Sequence, residues 1–308
     1  MSQKDRKRRQ RERQAAEAQR DFVQSRLEQD RQDYAAKWAN DARRFAEKSA
    51  YAWMASFLTD YPVVLEVGVG DGTGTVELLR AGHAVIGIEE NPACSRRAKE
   101  TILKNGYRVE CIERGAFVPK IAPQYHVAYT PVEAVFPDAG TALLVNGDVF
   151  NEPHLDRWLA QQRRIDALIC WLMGTYPFRI LNKDVTPRVG TDRVESATNY
   201  RILIEQTCIA LAGRILKPNG IIQIVIRGKI PGAGNIASED VLRTYNADAN
   251  ETGITFETTS FRPVDGFDVA GGIPVALDPN LDGAARSDGL PPALWSIIGR
   301  KIAPKSRP

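Results

Sequence analysis

The sequence predicts an α/β protein: a doubly wound, mostly parallel sheet of seven strands ending in an antiparallel hairpin, with a helical extension at the N-terminus. Three observations predict it. From Val63 onward, short apolar runs alternate with helix-length segments, the pattern of a parallel sheet covered on both faces. The first run, VVLEV at Val63–Val67, leads through a glycine-rich turn into a helix. Two further strand-like runs, Ile254–Phe261 and Leu294–Gly299, close the chain as a hairpin would.

The elements follow in order. Residues 1–32 carry almost no large apolar side chain and are rich in Arg, Gln and Glu, so they read as a basic tail, mobile or helical. The chain has 41 Lys and Arg against 38 Asp and Glu, and its excess of +3 is concentrated there, in KDRKRRQRERQ. Contact with nucleic acid or an acidic protein surface is the functional reading of that run, and a solvated extension is the plain one. Over residues 33–60, Tyr34, Trp38, Phe45, Trp53 and Phe57 recur mostly at helical spacing, which predicts an amphipathic helical cap. Pro62 ends it and introduces the first strand.

Residues 61–303 form the main domain. Buried strands are expected at Val63–Val67, Ala84–Ile88, Thr141–Val145, Ala167–Trp171 and Ile221–Ile226, and helices at Gly72–Ala81, Pro92–Lys104 and Ser196–Leu216. Arg108–Arg114 is either the third sheet strand or an extra strand within an insertion at about 107–140. The insertion is preferred, because TALLVNGDVF fits the sheet better. The Gly-, Pro- and Asp-rich stretch Asp265–Pro292 reads as loop.

Composition narrows the function classes. No run approaches the roughly 18–20 apolar residues of a membrane span. The basic N-terminus has no apolar region after it, so it does not read as a secretory signal, and a cytoplasmic address is expected. The four cysteines, Cys94, Cys111, Cys170 and Cys208, and the three histidines, His83, His126 and His154, are scattered. They suit a reduced compartment and form no metal-ligand spacing.

The chemistry-bearing residues lie at predicted strand ends. The first strand and its turn read ExGxGxG, with Glu66 before Gly68, Val69, Gly70, Asp71, Gly72 and Gly74. Such a turn lets a ligand approach the backbone, and the following helix offers amide donors. A dinucleotide fingerprint needs GxGxxG, but Thr73 stands where its third glycine belongs. A pyrophosphate disfavours a neighbouring carboxylate, whereas a sulfonium and an ammonium favour one. Glu89 follows the second strand about twenty residues after the turn, where a carboxylate can accept both ribose hydroxyls. Its neighbour Glu90 joins the candidate set by adjacency, with a solvated side chain as the ordinary expectation. The third motif, VNGDVF, ends in Asp148, Val149 and Phe150.

Together these motifs resemble the class I S-adenosylmethionine-dependent methyltransferases, whose fold is Rossmann-like. The resemblance spans roughly residues 61–230 and, more loosely, 253–301. It implies S-adenosyl-L-methionine as cofactor, Glu89 on the ribose, and Asp148 with the Val149 amide on the adenine, with Phe150 a candidate for the adenine pocket. The segment IDALICWLMGTYP resembles the fourth strand and the loop beside the methyl donor, which places Trp171 in the cofactor set and makes Trp171, Thr175 and Tyr176 candidates for the substrate wall. The (D/N)PPY sequence of amino-methylating DNA enzymes is absent there, and Cys170 reads as a buried apolar residue. ILKPNG resembles the family's LKPGG turn, with Asn219 in place of a glycine.

The implied activity is methyl transfer to an acceptor that the sequence does not name. A small molecule is favoured, with the aromatic N-terminal helices as a lid, and a nucleic-acid or protein acceptor gripped by the N-terminal tail is the alternative. A non-catalytic cofactor-binding module and a nicotinamide-dependent dehydrogenase are the competing classes. No motif identifies a base, and His154 reads as a partly exposed loop residue.

Overall fold

The computed structural model describes residues 3–120, 123–150, 152–162, 165–189, 193–230, 236–264 and 291–302. The expected loop at 265–290 lies outside the described residues, and Pro292 already belongs to the last strand.

The chain opens with α1, a 45-residue helix at Gln3–Glu47. It contains neither Gly nor Pro and is built from good helix formers. Residues Arg6–Phe22 are exposed wherever their side chains are described. The buried face begins at Val23 and repeats through Leu27, Arg31, Ala35, Ala42 and Phe45, at intervals of three, four and seven. The helix therefore passes residue 32 without a break. Ser49, in the left-handed region with φ 53°, turns the chain into α2 (Ala50–Ala55).

The main sheet is assembled from β1 (Val63–Val67), β2 (Ala84–Glu89), β3 (Arg108–Ile112), β6 (Thr141–Asn146), β7 (Ala167–Trp171), β8 (Ile221–Lys229), β9 (Ile254–Pro263) and β10 (Pro292–Lys301). Its order is β3-β6-β2-β1-β7-β8-β10-β9, parallel from β3 to β8 and antiparallel at β8–β10 and β10–β9. Without β3, the parallel strands follow the doubly wound order 3-2-1-4-5. The sheet thus has eight strands where seven were expected. The extra one is β3, which runs along β6 with Arg108 opposite Thr141. Its residues alternate between exposed and half-buried, as an edge strand allows, so it lacks the continuous apolar run of the inner strands. Further along the 107–140 segment, β4 (Ala116–Pro119) and β5 (Tyr125–Ala128) pair antiparallel in a separate two-stranded sheet packed on Leu27 of α1.

Alternate residues of each inner strand serve opposite faces. Val64, Val85, Leu144 and Ile169 pack with Phe45, Met54, Leu79 and Ile102 beneath α1, α2, α3 (Thr73–Arg80) and α4 (Pro92–Lys104). Leu65, Ile86, Val145 and Leu168 pack with Trp158, Ile204 and Tyr245, under α5 (Pro153–Gln161), α7 (Arg193–Ile215) and α8 (Ile236–Asp248). A four-residue helix, α6 (Thr186–Val189), precedes α7. Helices α5 and α8 were not expected from the sequence. His154 lies in the first turn of α5, a correction to its loop assignment; Glu152 caps this helix and Pro153 starts it. Among the described residues no helix is long and apolar enough to cross a membrane.

Candidate functional site

The carboxyl ends of β1, β2, β6 and β7 converge on one cavity at the point where the strand order reverses. Of the sequence-derived candidates, Gly68, Gly70, Glu89, Glu90, Asp148, Val149, Trp171 and Tyr176 line it. Glu66, Val69, Asp71, Gly72, Phe150 and Thr175 do not.

Glu89 ties the second strand to the glycine turn. Its Oε2 accepts from the Gly70 amide at 2.9 Å and its Oε1 from the Asn91 amide at 2.9 Å. Burial pushes this carboxyl up to about 7, with Glu90 adding to the effect and the two amides opposing it. Asn146 donates to the Glu89 carbonyl at 2.9 Å, which joins the end of β6 to that of β2.

The candidates outside the cavity support the turn. Glu66 lies beneath it and accepts from the Thr75 hydroxyl at 2.6 Å. Burial pushes Glu66 up to about 8 against that hydrogen bond. Asp71 accepts from the Thr73 amide at 3.2 Å and the Thr73 hydroxyl at 2.9 Å, closing the first turn of α3. Val69 packs over Gly87, where a Cβ would lie 2.5 Å from its methyl group. Gly72 has φ 82°, and a Cβ there would lie 2.7 Å from the Ala98 Cα of α4.

Asp148 accepts from the Phe150 amide at 3.1 Å and forms a buried ion pair with Arg179. Burial raises its pKa and Arg179 opposes the shift. Phe150 is buried under the Arg188 guanidinium, 4.6 Å from the ring centroid. Glu90 is not solvated, a correction to its sequence reading. It accepts from the Tyr176 hydroxyl at 3.1 Å and lies 3.8 Å from both Arg31 and Arg179. Trp171 is anchored from behind, its Nε1 donating to Gln223 Oε1 at 3.0 Å. Cys170 is buried as expected, and its thiol is raised well above the ordinary range by a hydrogen bond with Cys208 and by burial. Leu172, just past β7, has φ 56°, a strained setting for a γ-branched residue at the edge of a site.

Several site residues escaped the sequence reading. Tyr34 and Trp38 of α1 line the cavity, as do Met173 and Tyr200. The Trp38 indole nitrogen packs onto Gly70 where a Cβ would stand, and the Tyr34 hydroxyl does the same at Gly174. Tyr34 and Trp38 were visible as an apolar helix face expected to pack on the main domain as a lid, but their seats on Gly174 and Gly70 were not. Arg179 sits in a 3₁₀ turn at Pro177–Leu181 and carries no sequence signal.

No family model and no curated protein matches the sequence. The solved structures similar to it in fold include Rossmann-like S-adenosylmethionine-dependent methyltransferases. One, from Galdieria sulphuraria and provisionally assigned as a sarcosine dimethylglycine methyltransferase, is 14% identical, with 84% of this chain and 88% of that one covered at a TM-score of 0.43. M. jannaschii TYW2, in complex with AdoMet, is 12% identical over 82% of this chain and 75% of its own, at 0.42. The N-methyltransferase NodS of Bradyrhizobium japonicum WM9, in complex with S-adenosyl-L-homocysteine, is 10% identical over 83% and 88%, at 0.41. At these identities the likeness concerns fold and names no subfamily.

Proposed function

We propose that this chain is an S-adenosyl-L-methionine-dependent methyltransferase. The observation that carries the reading is Glu89: a buried carboxylate at the end of β2, hydrogen-bonded to the amide of the glycine turn and opening onto the same cavity as Asp148. A cofactor bringing a ribose, an adenine and two cationic centres fits this donor set. Glu89 would take the ribose hydroxyls, Asp148 and the Val149 amide the adenine, and the acidic lining the cations. The bound cofactor would supply an already electrophilic methyl group. The chain's own part is to orient the acceptor and exclude water, with Trp171 and Tyr176 as fixed walls.

Calorimetry tests this. S-adenosylhomocysteine is expected to bind, and Glu89→Ala is expected to weaken it by about 1–3 kcal/mol, the scale of charge-assisted hydrogen bonds. NAD binding without S-adenosylhomocysteine binding would move the chain to the dehydrogenase class, and binding without any methyl transfer to lysate fractions would make it a non-catalytic module.

One observation favours a polymeric acceptor over a small one. The exposed half of α1 carries Arg6, Lys7, Arg8, Arg9, Arg11 and Arg13, and the same helix continues into the cavity wall. A nucleic acid held there would be led toward the site. Removing residues 1–22 is expected to abolish salt-dependent RNA or DNA binding in a fluorescence anisotropy assay, with the melting temperature unchanged. Equal binding by the shortened chain would remove the tail from that role, and no salt-dependent binding by the full chain would return the choice to a small molecule.

A further inference from the structure

The cavity at the strand ends measures about 50 Å³. Ligand pockets for molecules of cofactor size begin at roughly 300 Å³. The missing space is filled by the chain itself. Trp38 rests on Gly70, Met173 on Gly68, where a Cβ would lie 2.8 Å from its methyl carbon, and Tyr34 on Gly174. The close approach that the glycine turn offers a ligand is thus taken by two side chains, Trp38 of α1 and Met173, while Tyr34 fills the facing side at Gly174. The same state engages the polar groups. Both oxygens of Glu89 accept backbone amides, and Asp148 is held by Arg179.

Residues 30–38 of α1 are seated by the apolar packing of Ala35 on Ala93 and Cys94 of α4 and by polar contacts beside the cavity. Arg31 faces Glu90 at 3.8 Å and donates to the Tyr176 hydroxyl at 3.1 Å. Asn91 donates to the Arg31 carbonyl at 3.1 Å, and Asp30 accepts from the Phe178 amide at 3.0 Å. Arg227 stacks over Trp38, 5.6 Å from the ring centroid. Beyond these contacts, Ala42 and Phe45 are wholly buried and anchor the end of the helix.

We propose that residues 30–38 of α1 are a self-inhibitory plug: Trp38 occupies the place on the glycine turn that the methyl donor must take, Tyr34 closes the facing wall at Gly174, and the donor binds only when this segment lifts from the Arg31–Glu90 latch. The proposal rests on the donor reading above and adds its regulation. A plugged protein binds its ligand with an affinity reduced by the fraction that is open. Removing the plug therefore tightens binding without adding any contact to the ligand.

Three forms of the full chain would be titrated with S-adenosylhomocysteine: the native protein, Trp38→Ala, and Arg31→Gln. The second variant leaves the cavity wall intact if the first fails to fold. Trp38→Ala is expected to bind at least tenfold tighter than the native chain and Arg31→Gln several-fold tighter. Hydrogen exchange of the native chain is expected to show residues 30–38 losing protection when the ligand is added. Equal affinity in the folded variants, or ligand binding with that segment still protected, overturns the plug and leaves the donor reading standing. Binding by none of the three forms overturns the donor reading and the plug with it.

Discussion

Glu66 and Glu89 stand on adjacent strands and differ in what surrounds them. Glu89 has two amide donors and a cavity, whereas Glu66 has one hydroxyl donor and the underside of α3. The difference has a consequence for pH. An unfolded glutamate ionises near 4.5, while Glu66 in the folded chain is pushed up to about 8. Between those values the folded chain holds a proton that the unfolded chain has released, so stability falls as pH rises through that window. Glu66→Gln keeps an acceptor for Thr75 and removes the burial of charge. It is expected to raise the melting temperature at pH 8.5, corresponding to roughly 1–3 kcal/mol after allowance for relaxation, and to change little at pH 5. The same gain at both pH values would show that Glu66 does not titrate in this range. Both acids were legible as strand-end carboxylates, but which one faced the cavity was not, because that depends on their donors, the Thr75 hydroxyl and the Gly70 amide.

At the scale of elements, the glycine turn carries two separate constraints. Gly70 gives Trp38 its seat, while Gly72 lets the start of α3 meet α4 at Ala98. Gly72→Ala puts a methyl group into the Ala98 backbone at a positive φ. It is expected to destabilise the fold by about 2–4 kcal/mol, overpacking and backbone strain together, measured by urea denaturation. A loss below 0.5 kcal/mol, the size of a neutral surface change, would mean that α3 and α4 slide apart freely. The inner strands were legible because fully buried parallel strands are continuous apolar runs. Helix α5 was less so, although Leu155, Trp158 and Leu159 are its buried face, because Pro153 and the preceding GD turn resemble a loop. The edge strand β3 was placed in an insertion, which its alternating pattern permits, and it proved to extend the main sheet.

At the scale of the whole molecule, a buried network of charge and phenol joins distant segments. Arg31 of α1, Glu90 after β2, Asp148 after β6, Tyr176 and Arg179 after β7, and Tyr200 of α7 form one hydrogen-bonded and ion-paired group. Arg179 is wholly buried between two carboxylates, an arrangement that removal of either partner would leave with an uncompensated charge. Five chain segments must be in place for this group to be satisfied, so the cavity and the cap are set together.

Local information accounts for the sheet, its glycine turn and the acids at its strand ends. Apolar periodicity, glycine spacing and the two-residue alternation of strands act over a few residues, and they are written in the order of the chain. The occupancy of the turn by Trp38, the pairing of Glu90 and Asp148 with arginines, and the inward half of α1 belong to the tertiary structure. Each joins residues from roughly thirty to more than a hundred positions apart. Whether a strand-end carboxylate faces a ligand, a hydroxyl or a guanidinium is decided by which of those partners reaches it when the layers close.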